Sequence, residues 1–217
     1  MAKDDALKAQ RDQISKAVGE ALAEWSLVEI TLTFVFVSLM DRTKAPLVKG
    51  PVPWEMEEPD RRLAHVAFSA IKSFDARVDV VGGVVDEADI GDDLKSLWPG
   101  LAERLRKKHK SRHPIAHFMI ENIEQDDGTW RAGLTPYPSS IGSVSNPRLG
   151  RAEVNQKAAA FSEIREGLAW YGAAVERLRG RLQGPLVPEP AVLLRVRQSL
   201  LNPKRLTPQP PRPPSQA

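Results

Sequence analysis

Three of the four histidines in the chain, His109, His113 and His117, fall in one short stretch behind a run of cations, Arg104, Arg106, Lys107, Lys108 and Lys110. Arg112 stands five residues ahead of His117. An imidazole titrates near neutral pH and can accept or donate a proton, which suits it to general acid–base work. A guanidinium keeps its charge and offers a planar fork of donors to phosphate oxygens. No other segment gathers proton-transfer and phosphate-binding groups so tightly. Each group also has a plainer role. Arg112 could neutralise Glu29, the one acid in a long apolar run, which needs a partner if buried. His117 could be a hydrogen-bonded core histidine, and a basic run is commonly a solvated helix face.

A metal site competes for the same residues. His109, His113 and His117 are spaced four apart, which sets imidazoles on one helical face. Pro114 disturbs that alignment and five cations crowd it, so no metal ligand is assigned. The acidic cluster Asp86, Asp89, Asp92, Asp93 does not fit a calcium loop, because Ala88 and Ile90 occupy ligand positions. Phosphate-cradling glycine loops, dinucleotide fingerprints and nucleophile elbows are absent, and no cofactor is expected. His65 lies beside an apolar helical face and reads as structural.

The elements that position this stretch follow from periodicity. Ile14, Val18, Ala21, Trp25, Val28, Leu32, Val35 and Leu39 alternate four and three apart, a heptad seam on one long helix. Phe34, Phe36 and Val37 lie off that seam, so Leu32 to Met40 is apolar nearly all round; a self-association surface would cover its second side. Residues 43–59 hold Pro46, Pro51, Pro53 and Pro59 and read as a loop. A second helix is expected from Asp60 to Asp79, with Leu63, Val66, Ala67, Ala70, Ile71, Phe74 and Val78 on its apolar face, and Gly82-Gly83 weakens its continuation. A third runs from Asp92 to about Ser111 with Leu94, Leu97, Leu101 and Leu105 inward and a kink at Pro99. Pro114 then opens a turn. Phe118 to Pro136 reads as a hairpin around Asp126-Asp127-Gly128-Thr129. Residues 137–150 are loop, and the last main helix spans Arg151 to Leu182 through Phe161, Ile164, Leu168, Tyr171, Val175, Leu178 and Leu182. The expected fold is all-α, an up-and-down four-helix bundle with a small β-hairpin insertion before the last long helix. It occupies residues 1–183, and residues 184–217 form a Pro-rich, largely disordered tail with a short helix near Ala191 to Leu200.

Composition sets the remaining bounds. At 217 residues with a formal net charge of +3, the chain is mildly basic, and only local clustering points to polyanions. No cysteine occurs, which excludes disulfides and thiolate metal sites and fits a reducing cytoplasm. The apolar run from Trp25 to Met40 falls short of the roughly 20 residues that span a bilayer and carries Glu29, so a core helix rather than a membrane anchor is expected.

Arg112, then His113, then Ile115-Ala116-His117, at the end of a third helix and before a turn-rich insertion and a final helix, resembles the HEPN superfamily (higher eukaryotes and prokaryotes nucleotide-binding). Its motif is an arginine, four to six residues and a histidine. The resemblance implies a metal-independent endoribonuclease with a site shared between two protomers. His117 would take the proton of a 2′-hydroxyl as it attacks phosphorus, Arg112 would stabilise the phosphoryl charge, and His113 would supply a supporting hydrogen bond. Arg104, Arg106, Lys107, Lys108 and Lys110 would hold the RNA backbone. RNA, a second copy of the chain and an antitoxin-like protein are the partners implied, in a growth-restricting or defence role. The alternative is a non-catalytic helical RNA-binding or protein-interaction module. On an unbroken helix Arg112 and His117 would stand about 140° apart, so their convergence needs a kink or a second subunit.

Overall fold

The computed structural model describes residues 2–41, 59–125, 127–136 and 149–201. The chain is mostly helical, with a small antiparallel hairpin. In order it forms α1 (Ala2–Met40), α2 (Pro59–Ser69), α3 (Phe74–Glu87), α4 (Asp92–His117), β1 (Met119–Glu124), β2 (Trp130–Thr135), α5 (Arg151–Leu178) and α6 (Ala191–Leu201). The loop expected over 43–59 lies outside the described residues up to Pro59, as do most of that expected over 137–150 and the Pro-rich end of the chain.

The heptad seam of α1 becomes the axis of the core. Ile14, Ala21, Trp25, Val28, Leu32, Val35 and Leu39 are buried, and Val18 packs against them half-buried. At 39 residues and a rise of 1.5 Å each, α1 is about 58 Å long. By length and composition alone the stretch Asp4–Met40 is apolar enough to cross a membrane, and 44% of its apolar window is buried inside this structure. Trp25 sits at the centre: its ring meets Phe74 of α3 at 5.0 Å, Phe161 of α5 at 5.2 Å and His109 of α4 at 5.7 Å between centroids. One side chain thus joins four helices.

Cross-helix contacts give the direction of each element. Gln13 meets Arg151, Trp25 meets Phe161, and Leu39 accepts from Arg179, so α1 and α5 run the same way. Against α5, α4 runs in reverse, since Trp98 faces Tyr171 while His109 and Phe161 share Trp25. Asp79 with Arg106 and Asp75 with His109 set α3 antiparallel to α4. Phe36 stacks on Phe68, and Asp41 pairs with Arg61, so α2 runs back along the end of α1.

That order contains one reversal more than expected. The second helix is two helices, broken between Ala70 and Ser73. The Ser73 hydroxyl accepts from the Ala76 amide at 3.3 Å and caps α3. The apolar face shifts accordingly. Ala64 and Phe68 are buried, whereas Leu63 is 69% and Val66 60% exposed. Past the break, α3 runs through Gly82-Gly83 to Glu87 with Phe74, Val78, Val81 and Val85 buried. The second side of the apolar end of α1 is supplied in part by the same chain, because Phe36 stacks on Phe68 with centroids 4.4 Å apart and Val37 is buried with it.

Three further departures concern α4, α5 and α6. Helix α4 does not end at Ser111; it passes through both Pro99 and Pro114 and stops at His117, where the Phe118 amide donates to the Pro114 carbonyl. The hairpin forms where expected, with Met119 opposite Thr135 and Glu124 opposite Trp130, and Gly128 at φ 74° in its turn. Helix α5 ends at Leu178, ahead of Leu182, because Gly180 adopts φ 74° and lets the Arg181 amide donate back to Glu176. Helix α6, assigned above to the tail, belongs to the packed body: Val192, Leu193 and Val196 are buried. Glycines make room for it. A Cβ at Gly100 would lie 2.6 Å from Val196, and one at Gly167 would lie 2.6 Å from Val192.

Candidate functional site

Helix α4 displays its chemistry on three faces, because it stays helical to His117. Leu94, Leu97, Leu101, Leu105 and Ile115 set the core direction. At about 100° per residue, Arg112 falls near that direction. It is half-buried, and its Nε is buried without a hydrogen-bond partner. His113 and His117 fall on the opposite, exposed face, their ring centroids 4.5 Å apart. Arg112 and His117 therefore stay about 140° apart on the helix, and one chain does not bring them together. Pro114 opens no turn: Phe118 still bonds back to it in helical register.

Glu29 is not the partner of Arg112. Its carboxylate accepts from the Trp25 indole at 2.6 Å and lies 3.6 Å from Arg77 of α3. The i,i+4 spacing from Trp25 and the approach of α3 take both of its oxygens, and it is only half-buried. Arg77 is held in turn by the Ile71 carbonyl at 2.7 Å, across the break between α2 and α3.

His109 goes a separate way from the other histidines. It turns inward, 4.6 Å from the Phe74 ring and stacked on Trp25, with Nδ1 4.0 Å from Asp75. Partial burial pushes its pKa below the ordinary histidine value, Asp75 works against this, and Arg112 adds to it. Among the described residues, no three His, Cys, Asp or Glu side chains are placed to hold a metal ion. His65 is exposed on α2.

The basic run divides. Arg106 reaches α3 and pairs with Asp79, and Lys110 shares the exposed side with His113 and His117. Arg104 and Lys108, one turn apart, face the other flank, toward α5 and α6. There the antiparallel course of α5 brings Lys157 alongside, and the docking of Val196 on Gly100 brings Arg195 up to Arg104. Partial burial holds Lys108 below the usual lysine range, and Lys107, Lys157, Arg104 and Arg195 each lower it further. Arg104 is lowered by burial and then by Arg195, with Glu103 acting the other way. Arg195 also pairs with Glu163 of α5. Sequence reasoning missed Lys157 and Arg195, because neither lies near the basic run and only tertiary packing unites them.

A second charged cluster also escaped notice. At the far end of α1, Asp41 and Glu176 bind Arg61 and Arg181: Arg181 lies 2.7 Å from Asp41, and Arg61 lies 3.1 Å from Glu176. It ties α1, α2 and the end of α5 together, as buried charges must be tied. Its signal in sequence was Glu176, an acid that directly follows the apolar stretch Ala173-Ala174-Val175. Between the first half of α1, the hairpin and the start of α5 lies a cleft of about 680 Å³, lined by Gln10, Gln13, Glu124, Arg131, Arg151 and Glu153 among others. Its mixed charges select no ligand.

No protein-family model matches the chain, and no curated protein or solved structure is detectably similar to it.

Proposed function

We propose that this chain is a helical module that grips RNA through a basic surface shared by α4, α5 and α6. One observation carries the reading: the packing of α5 and α6 on α4 brings Lys157 and Arg195 close enough for their charges, with those of Lys107 and Arg104, to act on Lys108. Arg195 is answered by Glu163 and Arg104 feels Glu103, whereas among the described residues no salt bridge answers Lys107, Lys108 or Lys157. A phosphate backbone would supply the missing charge along the length of the patch. The resemblance of Arg112–His117 to the HEPN motif selects RNA among polyanions, and a cysteine-free chain suits the cytoplasm. We read the architecture as a four-helix bundle of α1, α3, α4 and α5 around one core, with α2 and α6 as short additions.

Anisotropy of a labelled single-stranded RNA tests this. Lys108→Ala with Lys157→Ala should weaken binding by roughly tenfold or more, about 1.4 kcal/mol. Unchanged affinity would overturn the reading. Preference for an acidic protein over RNA at equal charge would make the surface a protein-docking site.

A second reading, a metal-independent endoribonuclease, is favoured by the buried, unpartnered Nε of Arg112 and the exposed ring of His117. Since one chain holds them apart, Arg112 of one protomer would stabilise the phosphoryl charge while His117 of a second accepts the 2′-hydroxyl proton. That reading requires a homodimer and leaves room for an antitoxin-like partner that covers the site. Mixing Arg112→Ala with His117→Ala protomers should then restore cleavage that neither variant has alone. No cleavage by the native protein would end it.

A further inference from the structure

The exposed face of the last turns of α4 holds an arrangement that RNA binding does not use. His113 and His117 are one turn apart on an unbroken helix, both open to solvent, with ring centroids 4.5 Å apart and planes inclined by 44°. The same spacing on a frayed or kinked segment would not hold two rings together. Here the Phe118 amide bonded to Pro114 keeps the last turn closed.

The separation can be compared with what a metal requires. A metal–imidazole bond is about 2.0 Å and the ring centroid lies about 1.1 Å behind the nitrogen, so each centroid sits roughly 3.2 Å from the ion. Two imidazoles in adjacent positions at a right angle then have centroids about 4.5 Å apart, and at a tetrahedral angle about 5.2 Å. The rings stand at the first value. Right-angle nitrogen pairs belong to the tetragonal and octahedral sites of Cu(II) and Ni(II), whereas zinc prefers a tetrahedron.

We propose that His113 and His117 form a two-histidine clamp for a late first-row divalent cation of tetragonal or octahedral preference, Ni²⁺ or Cu²⁺. Water fills the remaining positions. His109 is no third ligand, because it turns inward against Trp25 and Phe74 with Asp75 beside it. Of the two cations on the same stripe, Arg106 is answered by Asp79, which leaves Lys110 to oppose the ion from that stripe. The site is independent of the Lys108 flank, which lies on the other side of α4.

Titration calorimetry of the full chain with NiCl₂ at pH 7.5, without RNA, tests the clamp. One ion should bind per chain, more tightly than Zn²⁺, and Mg²⁺ should give no saturable heat. His113→Ala and His117→Ala should each weaken Ni²⁺ binding by roughly tenfold or more, because a single imidazole loses the chelate. His65→Ala, on an exposed and isolated histidine, should bind as the native chain does. Both variants are on exposed positions, and circular dichroism will show that α4 is intact. Ni²⁺ affinity left unchanged by either substitution, or an equal loss in His65→Ala, would overturn the proposal; Zn²⁺ binding more tightly than Ni²⁺ would overturn the right-angle geometry.

Discussion

Removing α6 should unfold the protein, whereas removing the chain beyond it should not. Val192, Leu193 and Val196 are 3%, 0% and 2% exposed, and fully burying such a side chain contributes about 1.5–3 kcal/mol. The three together amount to about 4.5–9 kcal/mol as an upper bound, against about 5–15 kcal/mol for the whole stability of a typical domain. Loss of the helix would also open Gly100 and Gly167, whose missing side chains are the seats of Val196 and Val192. A chain ending at Gln183 should therefore show a broad, early thermal transition or none, while one ending at Leu201 should melt with the full-length protein. Leu193→Ala gives the same result in milder form. At about 2–5 kcal/mol for a buried leucine it should lower the melting temperature by about 4–20 °C. Thermal scans by circular dichroism at 222 nm read all three. A chain ending at Gln183 that melts within about 2 °C of the full-length protein would show that α6 contributes nothing to the core.

Two further perturbations probe the polar interior. Glu176→Ala leaves Arg61 and Arg181 short of a buried carboxylate and should cost about 3–5 kcal/mol in urea denaturation; a change within about 0.5 kcal/mol would mean that the cluster is solvated. His109 sets a pH dependence. Its folded pKa lies below the ordinary 6.5 because burial disfavours the charged ring. The unfolded chain therefore binds the proton more readily, so the contribution is complete above 6.5 and declines as pH falls below it. His109→Phe should flatten that decline between pH 6.5 and pH 5, and a native-like profile in the variant would assign the loss to other groups.

What could be read from the sequence was whatever one element decides by itself. The seam of α1, and that of α5 as far as Val175, were visible because three- and four-residue spacing marks a buried face whatever covers it; Leu178 and Leu182, expected on the α5 seam, are 61% and 40% exposed, since the helix ends at Leu178. The hairpin was visible because Asp127-Gly128 separates two alternating runs. The break between α2 and α3 was hidden, since Ile71 and Phe74 continue the helical spacing across it and only the cap at Ser73 betrays it. Leu63 and Val66 suggested a face that Ala64 and Phe68 occupy instead, because α2 is short and its orientation is set by Phe36. Pro114 misled in the other direction: the packing of Ile115 holds a last helical turn that local preference resists. Among site residues, the histidines and the basic run were evident as types, but their division among three faces depends on that extra turn. Lys157 and Arg195 join the surface only through the packing of α5 and α6 on α4. Glu29 was rightly seen as needing a cation and wrongly given Arg112, because Arg77 belongs to a helix whose direction the sequence concealed.

The salt dependence of RNA binding tests the central claim most directly. If Arg104, Lys107, Lys108, Lys157 and Arg195 each meet a phosphate, log K should fall with log salt concentration at a slope of about −3.5, roughly 0.7 for each contact on a single strand. Lys108→Ala and Lys157→Ala should each make the slope shallower by about 0.7, while Lys110→Ala, on the other side of α4, should leave it unchanged. A slope near zero, or one that responds to Lys110 and ignores Lys157, would contradict the account.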